Sequence, residues 1–191
     1  MQGLIRFLYE VGHLKNVPRA GWTLMGVASP ESVAEHSYRT TIIGYVLAHL
    51  EQANIEKTVL MCLFHDVHEA RLTDLHRLAR QYVDWEPAET KAIAHVLKRL
   101  PDSIADPIGG VLEEFNRLET LEAQIAKDAD RLEFIFQAVE YQARGHGDVA
   151  TWIEQNRKDL RTASARKLAD ECLVKDVHCW WNELDATGDS D

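Results

Sequence analysis

Residues 60–74 read LMCLFHDVHEARLTD, and how this stretch is read decides the fold. Met61, Cys62, Leu63 and Phe64 are all apolar, and His65, Asp66, His68, Glu69 and Asp74 follow at once. A buried helix face that ends in imidazoles and carboxylates has to pair them. Desolvating ionisable groups costs several kcal/mol or so unless a partner compensates, and a metal ion is the strongest partner available. At about 100° per residue, His65 and Glu69 lie one turn apart, with Asp66 and Glu69 on a neighbouring line. The spacing predicts a helix over about 55–70 on which His65, Asp66 and Glu69 converge, with Asp74 just past its end. A solvated helix terminus with a few satisfied histidines is the plainer alternative. The apolar lead-in and the further candidates elsewhere in the chain weigh against it.

Working outward, periodicity is helical nearly everywhere. Leu4, Ile5, Leu8 and Val11 mark a first amphipathic helix. Residues 16–32, NVPRAGWTLMGVASPES, form a long loop rich in breakers, and loops of that length inside compact domains are often functional. Arg19 and Trp22 stand out in it, against the plainer reading of a surface arginine and a packing tryptophan. A helix begins near Pro30, with Ser29 as cap, or after Ser32, whose partner Glu35 completes a capping box. Its stripe of Val33, Thr40, Ile43, Val46, Leu47 and Leu50 includes His36 in place of a core residue. Short helices are predicted around 75–82 and 87–100, after which Pro101 and Pro107 break the chain and Gly109-Gly110 loosens it. Residues 120–144 are apolar on most sides, which marks a central helix and buries Asp128 and Asp130 at least in part. Periodicity does not choose between those two, and Asp128 is nearer the stripe. Helices over about 149–160 and 164–184 follow, with Trp180-Trp181 read as packing or a subunit contact, and a frayed tail over 186–191. The expected architecture is all-α, a single-domain helical bundle over residues 1–185.

The 191 residues carry 21 Lys and Arg against 31 Asp and Glu, a net charge of −10, which argues against nucleic acid or an anionic membrane as main partner. A small anionic substrate remains compatible, because a divalent cation and an arginine reverse the sign locally. Cys62, Cys172 and Cys179 form no CxxC pair and read as reduced thiols. With no signal peptide and no apolar run long enough to span a membrane, the expected location is the cytoplasm.

His36, the His65–Asp66 pair and an aspartate of the 120–144 helix make a mixed N/O set. Such a set suits a divalent ion such as Mn²⁺, Co²⁺, Fe²⁺, Ni²⁺ or Zn²⁺. Four protein ligands leave room for water only on a five- or six-coordinate ion, not in a closed tetrahedral zinc site. The order H…HD…D, with the blocks VGHLKNVPRAGW (11–22), SPESVAEHS (29–37), LFHDVHEARLTD (63–74) and KDADRLEFIFQA (127–138), resembles the HD-domain superfamily of metal-dependent phosphohydrolases. The 5′-deoxynucleotidase family is the nearer likeness. The resemblance implies His36, His65, Asp66 and Asp130 as metal ligands, which resolves the choice against Asp128. It also implies Glu69 and Asp74 as catalytic carboxylates, and Arg19 and Trp22 as the grip on the nucleotide. Some deoxynucleotidases have that arginine and tryptophan adjacent, whereas Ala20 and Gly21 separate them here, which leaves strict preference for deoxyribose open.

The implied reaction is hydrolysis of a deoxynucleoside 5′-monophosphate by a metal-activated water. Arg19 would hold the phosphate bidentately and Trp22 would cover sugar or base. Glu69 would deprotonate the water and Asp74 would protonate the departing 5′-oxygen, or the reverse. Lys127 is a weaker candidate for phosphate contact, against a solvated lysine. His68 carries no implied role: contact behind the ligands, surface placement and a second metal are all open. Relatives of this kind commonly form homodimers. The rivals are a phosphodiesterase or pyrophosphohydrolase on another phosphorylated metabolite, and a module that binds metal and nucleotide without turnover.

Overall fold

The computed structural model describes residues 1–147 and 149–186, with side chains to residue 182. Twelve α-helices follow in chain order: α1 (Gln2–Gly12), α2 (Gly21–Leu24), α3 (Val33–Leu50), α4 (Ile55–Phe64), α5 (Glu69–Leu72), α6 (Arg77–Arg80), α7 (Trp85–Leu97), α8 (Asp102–Arg117), α9 (Leu121–Ala143), α10 (Ala150–Lys158), α11 (Ala163–Val174) and α12 (Cys179–Ala186). A 3₁₀ turn, His13–Asn16, links α1 to the loop that holds α2. Among the described residues there is no strand, only an isolated antiparallel bridge between Pro18 and Ser32, and no helix is long and apolar enough to cross a membrane. The all-α expectation is met.

α9 is the axis. α3, α4 and α8 pack on it from one direction of the chain, and α10 and α11 from the other. Leu47, Met61, Ile125, Leu132, Ile135 and Leu160 are among the fully buried side chains that fill the space between them. A smaller cluster, Val67, Val96, Ile108 and Leu112, ties α7 and α8 to the turn after α4. α3 and α4 approach very closely at Gly44: a Cβ there would overlap the Cys62 side chain. That contact fixes the two helices whose ends carry His36 and His65.

Of the two candidate starts for α3, Ser32 is the one used. Its side chain accepts from the Glu35 amide, and Glu35 reaches back to the Ser32 amide. Such a cap is worth about 1 kcal/mol. Three sequence expectations fail. The helix predicted over 55–70 stops at Phe64, because the Cys62 carbonyl accepts from His65 Nδ1 at 2.8 Å, the bond that the residue-66 amide would need to continue. Residues 65–68 form tight turns, α5 gives one more turn, and Thr73, at φ 62° and ψ 167°, turns the chain back at Asp74. Nor do Pro107 and Gly109-Gly110 break the chain: α8 runs through them. Its stripe Ile108, Val111, Leu112 and Phe115 packs against α4, α7 and α9, and this outweighs the single backbone bond that proline removes near the helix start. The last predicted helix is split, with α11 ending at Val174 and α12 starting at Cys179. Of the tail expected over 186–191, residues 187–191 lie outside the described residues.

Candidate active site

The loop between the 3₁₀ turn and α3 is pinned at its base. The Val33 amide donates to the Val17 carbonyl and the Arg19 amide to the Glu31 carbonyl, at 2.8 and 2.9 Å. Arg19 is thereby held over the α4–α5 turn, with Nη1 3.3 Å from Asp66 Oδ2. The neighbouring Ala20 amide donates to Asp74 Oδ2 at 2.7 Å, which ties the loop to the far side of the same site.

His36 comes from the first turns of α3, His65 and Asp66 from the end of α4, and Asp130 from the middle of α9. His36, His65 and Asp66 offer ligand atoms that all lie within 4.8 Å of one another. Asp130 Oδ1 is 3.2 Å from His36 Nε2 and 3.9 Å from His65 Nε2. Each imidazole is oriented from behind. His36 Nδ1 pairs with Glu133 Oε2 at 2.5 Å, and His65 Nδ1 with the Cys62 carbonyl. Both partners only accept, so each Nδ1 carries a proton and Nε2 is the nitrogen turned toward the carboxylates. His65 Nε2 lies 3.1 Å from Asp66 Oδ2 but without the alignment of a hydrogen bond, and it is a buried nitrogen with no partner.

This donor set fits a divalent cation. An orphaned buried nitrogen, a second lone pair 3.2 Å from one aspartate and two buried carboxylates are what N/O ligation needs. The electrostatics agree. Burial and Arg19 both work against charge on His36, yet Glu133 and Asp130 lift it to about 10: the carboxylates favour positive charge at Nε2, a proton or a cation in its place. Burial would raise Asp130, but Lys127, the bond to His36 and His65 hold it well below the usual carboxylate range. Asp66 is likewise lowered, with burial opposed by His65 and Arg19.

Asp66 and Asp130 face a cavity of about 660 Å³, whose lining does not include His36 or His65. Arg19, Asp74 and Lys127 also line it. Lys127 does not stand free: its Nζ sits 2.8 Å from Asp130 Oδ2 and over the Phe115 ring. Trp22 lines the wall but is only 1% exposed, stacked on Phe134 at 4.4 Å, with its indole N–H on Glu31. Glu69 is not on the wall. It is fully buried behind Asp66, both oxygens lack a hydrogen-bond partner, and the Arg80 guanidinium at 3.5 Å is its ion-pair contact. Burial, then Asp66 and Asp74, push its carboxyl well above the usual range. His68 is buried too, against Trp85, which removes the surface reading.

Asp128 is absent from the cavity wall. Its carboxylate accepts from the Arg161 and Thr162 amides and from Thr162 Oγ1, and so anchors the start of α11. Sequence reading missed Glu133, which is fully buried and braced by Arg39 at 2.9 Å, and Arg39 is itself tied to Gln137 and Glu140. A signal was present: Glu133 and Arg39 each lie three residues beyond a ligand on the same helix, and Glu133 interrupts an apolar run. Arg77, Trp152 and Gln155, also on the wall, lie on α6 and α10 and carried no such mark.

The family model described as HD domain matches residues 11–171. The chain is 32% identical over 144 residues to the 5′-deoxynucleotidase HDDC2 of Xenopus laevis, a match over 74% of this chain and 70% of that protein. It is 30% identical over 189 residues to the 5′-deoxynucleotidase hdd1 of Schizosaccharomyces pombe, covering 95% and 88% of the two chains. A solved structure, a conserved hypothetical protein from Pyrococcus furiosus, superposes with a TM-score of 0.73 at 34% identity over 88% of this chain and 98% of its own. The chain belongs to the HD-domain family of metal-dependent phosphohydrolases, in its 5′-deoxynucleotidase-like branch.

Proposed function

We propose that the protein hydrolyses deoxynucleoside 5′-monophosphates to deoxynucleoside and phosphate, using one divalent ion held by His36, His65, Asp66 and Asp130. The reading is carried by the meeting of that donor set with Arg19 at one end of a cavity large enough for a nucleotide. The substrate class is supported by the names of the HDDC2 and hdd1 relatives. Two imidazoles and two carboxylates with positions left for water suit a five- or six-coordinate ion among the five candidates. When bound, such an ion supplies Lewis acidity, which acidifies water and offsets charge on phosphoryl oxygens.

Arg19 leaves Asp66 to hold the phosphate through its guanidinium fork, and the Ala20–Asp74 bond keeps the loop in place as it does so. Glu69 takes the proton of the attacking water. Its raised affinity for a proton and its lack of hydrogen-bond partners suit a group that exchanges a proton. Asp74, on the cavity wall, protonates the departing 5′-oxygen. Phosphoryl transfer asks mainly for positioning and charge, which these groups supply. The working unit is residues 1–185 as one domain, assembled as a cytoplasmic homodimer.

The test is metal-stripped protein reconstituted with each candidate ion and screened on phosphorylated metabolites, diesters and diphosphates included. Phosphate release should be fastest from deoxynucleoside monophosphates. Arg19→Ala should lower kcat/KM by about ten- to several-hundred-fold, the loss of a charge-assisted bidentate contact, while metal content stays unchanged. Full activity in Arg19→Ala, or faster turnover of a diester, would reject the assignment.

A further inference from the structure

Beyond the phosphate end, the cavity continues along α9. Phe134 stands one turn after Asp130, about 6 Å further along the helix axis. Trp152 on α10 follows, its ring centroid 6.0 Å from that of Phe134 and tilted by 29°. The two rings, partly exposed, line the cavity. Trp22 cannot serve as the open aromatic face. One side of its indole is stacked on Phe134, the edge of Tyr141 meets it at 5.1 Å, and its N–H is taken by Glu31. At the same end, Arg77 Nη1 on α6 donates to Gln155 Oε1 on α10 at 3.1 Å, and both side chains line the cavity. Arg77 differs from Arg19, Arg80 and Lys127: among the described residues its side-chain partner is a neutral amide, whereas each of theirs is a carboxylate. An open aromatic face beside amide and guanidinium donors is the chemistry that takes up a flat heterocycle.

We propose that Trp152, with Phe134 beside it and the Arg77–Gln155 bridge at its edge, forms a subsite that stacks the purine or pyrimidine ring of the nucleotide. The inference rests on the nucleotide reading above and adds the element that recognises the base. Stacking uses the π-face that every base has, so the subsite detects that a base is present and discriminates little between bases. It draws on α6, α9 and α10 and begins one helical turn beyond Asp130.

The test compares kcat/KM for dAMP, dGMP, dCMP and dTMP with that for deoxyribose 5-phosphate, which keeps phosphate and sugar but has no base. Wild type should favour the nucleotides by about ten- to a hundredfold, the range of a single aromatic–base stack, with a small spread between bases. Trp152→Ala should bring the ratio of nucleotide to sugar phosphate close to one, and Trp152→Phe should keep most of it. The ratio cancels any general loss of folded enzyme. Should Trp152→Ala fail to fold, Trp152→Leu, apolar and bulky but without a ring, takes its place. A wild-type ratio retained in the Ala or Leu variant overturns the subsite, as does a wild type with no preference for base-bearing substrates. Either result leaves the phosphatase reading standing. A wild type inactive on every nucleotide and on the sugar phosphate overturns the nucleotide reading and the subsite together.

Discussion

Glu133 has no access to solvent, yet it orients His36, one of the proposed metal ligands. Its carboxylate fixes the ring of His36 and keeps the Nδ1 proton, and Arg39 balances its charge at 2.9 Å. Partners behind a ligand of this kind are worth about ten- to a hundredfold in metal affinity. Glu133→Gln should therefore weaken Co²⁺ binding by that factor in calorimetric titration, with helical content unchanged by circular dichroism. Equal affinity in both proteins would show that the fold alone orients His36. Thr73 is the other residue that matters singly. Its φ of 62° with ψ 167° is a conformation almost confined to glycine, and it costs on the order of 1–3 kcal/mol in a β-branched residue. The strain sits immediately before Asp74. Thr73→Gly should relieve it, less about 0.5–1 kcal/mol for the freer unfolded chain. The net is about 1 kcal/mol, or a rise of about 2–4 °C in Tm, while kcat falls as Asp74 loses its fixed position. A lower Tm would mean that the strain is not there.

At the scale of elements, α9 serves two faces of the molecule with two aspartates two residues apart. Asp130 points to the cavity and to His36, whereas Asp128 points away, to the start of α11. Their substitutions should separate cleanly. Asp130→Asn should lose bound metal by elemental analysis and with it turnover. Asp128→Asn should keep its metal, yet lose about 1–3 kcal/mol of stability, because its NH₂ would replace an oxygen that accepts from the Arg161 amide in a dry site. Loss of metal in Asp128→Asn alone would reverse the assignment. α3 has a similar division. Its inner face holds His36, Thr40 and Leu47, all buried, while Tyr38, Ile42, Tyr45, Val46 and Leu50 stand exposed along the outer one.

That outer stripe belongs to the whole molecule. Tyr38, at 71% exposed, and Leu50, at 57%, end a band of apolar side chains over three turns of one helix, the kind of surface an interface uses. The homodimer is proposed to form across it. Sedimentation velocity at micromolar protein should give a mass near twice 21.7 kDa, and Ile42→Glu should return the monomer. A wild-type monomer would exclude the dimer, and an Ile42→Glu dimer would move the interface elsewhere, Trp180-Trp181 being the next exposed apolar pair. The charge distribution fits the proposed substrate. A chain with a net charge of −10 gathers Arg19, Arg77, Arg80, Lys127 and Arg131 around one cavity. An anionic ligand is thus attracted locally by a protein that repels polyanions overall.

Much of this was legible in the residues. Periodicity identified the helices because burial of one stripe is a local property of sequence, and it marked α9 as the axis because that helix is apolar on most sides. Residue type and order singled out His36, His65, Asp66, Glu69 and Asp74, since imidazoles and carboxylates inside apolar runs need partners wherever they meet. What sequence alone could not decide depended on contacts between distant segments. Periodicity left the choice between Asp128 and Asp130 to the family resemblance, because it turns on what each carboxylate faces, Thr162 or His36, and a shift of two residues on a helix says little about that. The end of α4 at Phe64 follows from a side chain competing for a backbone carbonyl, and the survival of α8 through Pro107 from the burial of its stripe on α4 and α9. Glu133 behind His36, and Trp152 at the far end of the cavity, act across 97 and 18 residues of chain, on His36 and Phe134 respectively. Local pattern carries no record of such pairs, because their energy exists only once the helices have packed.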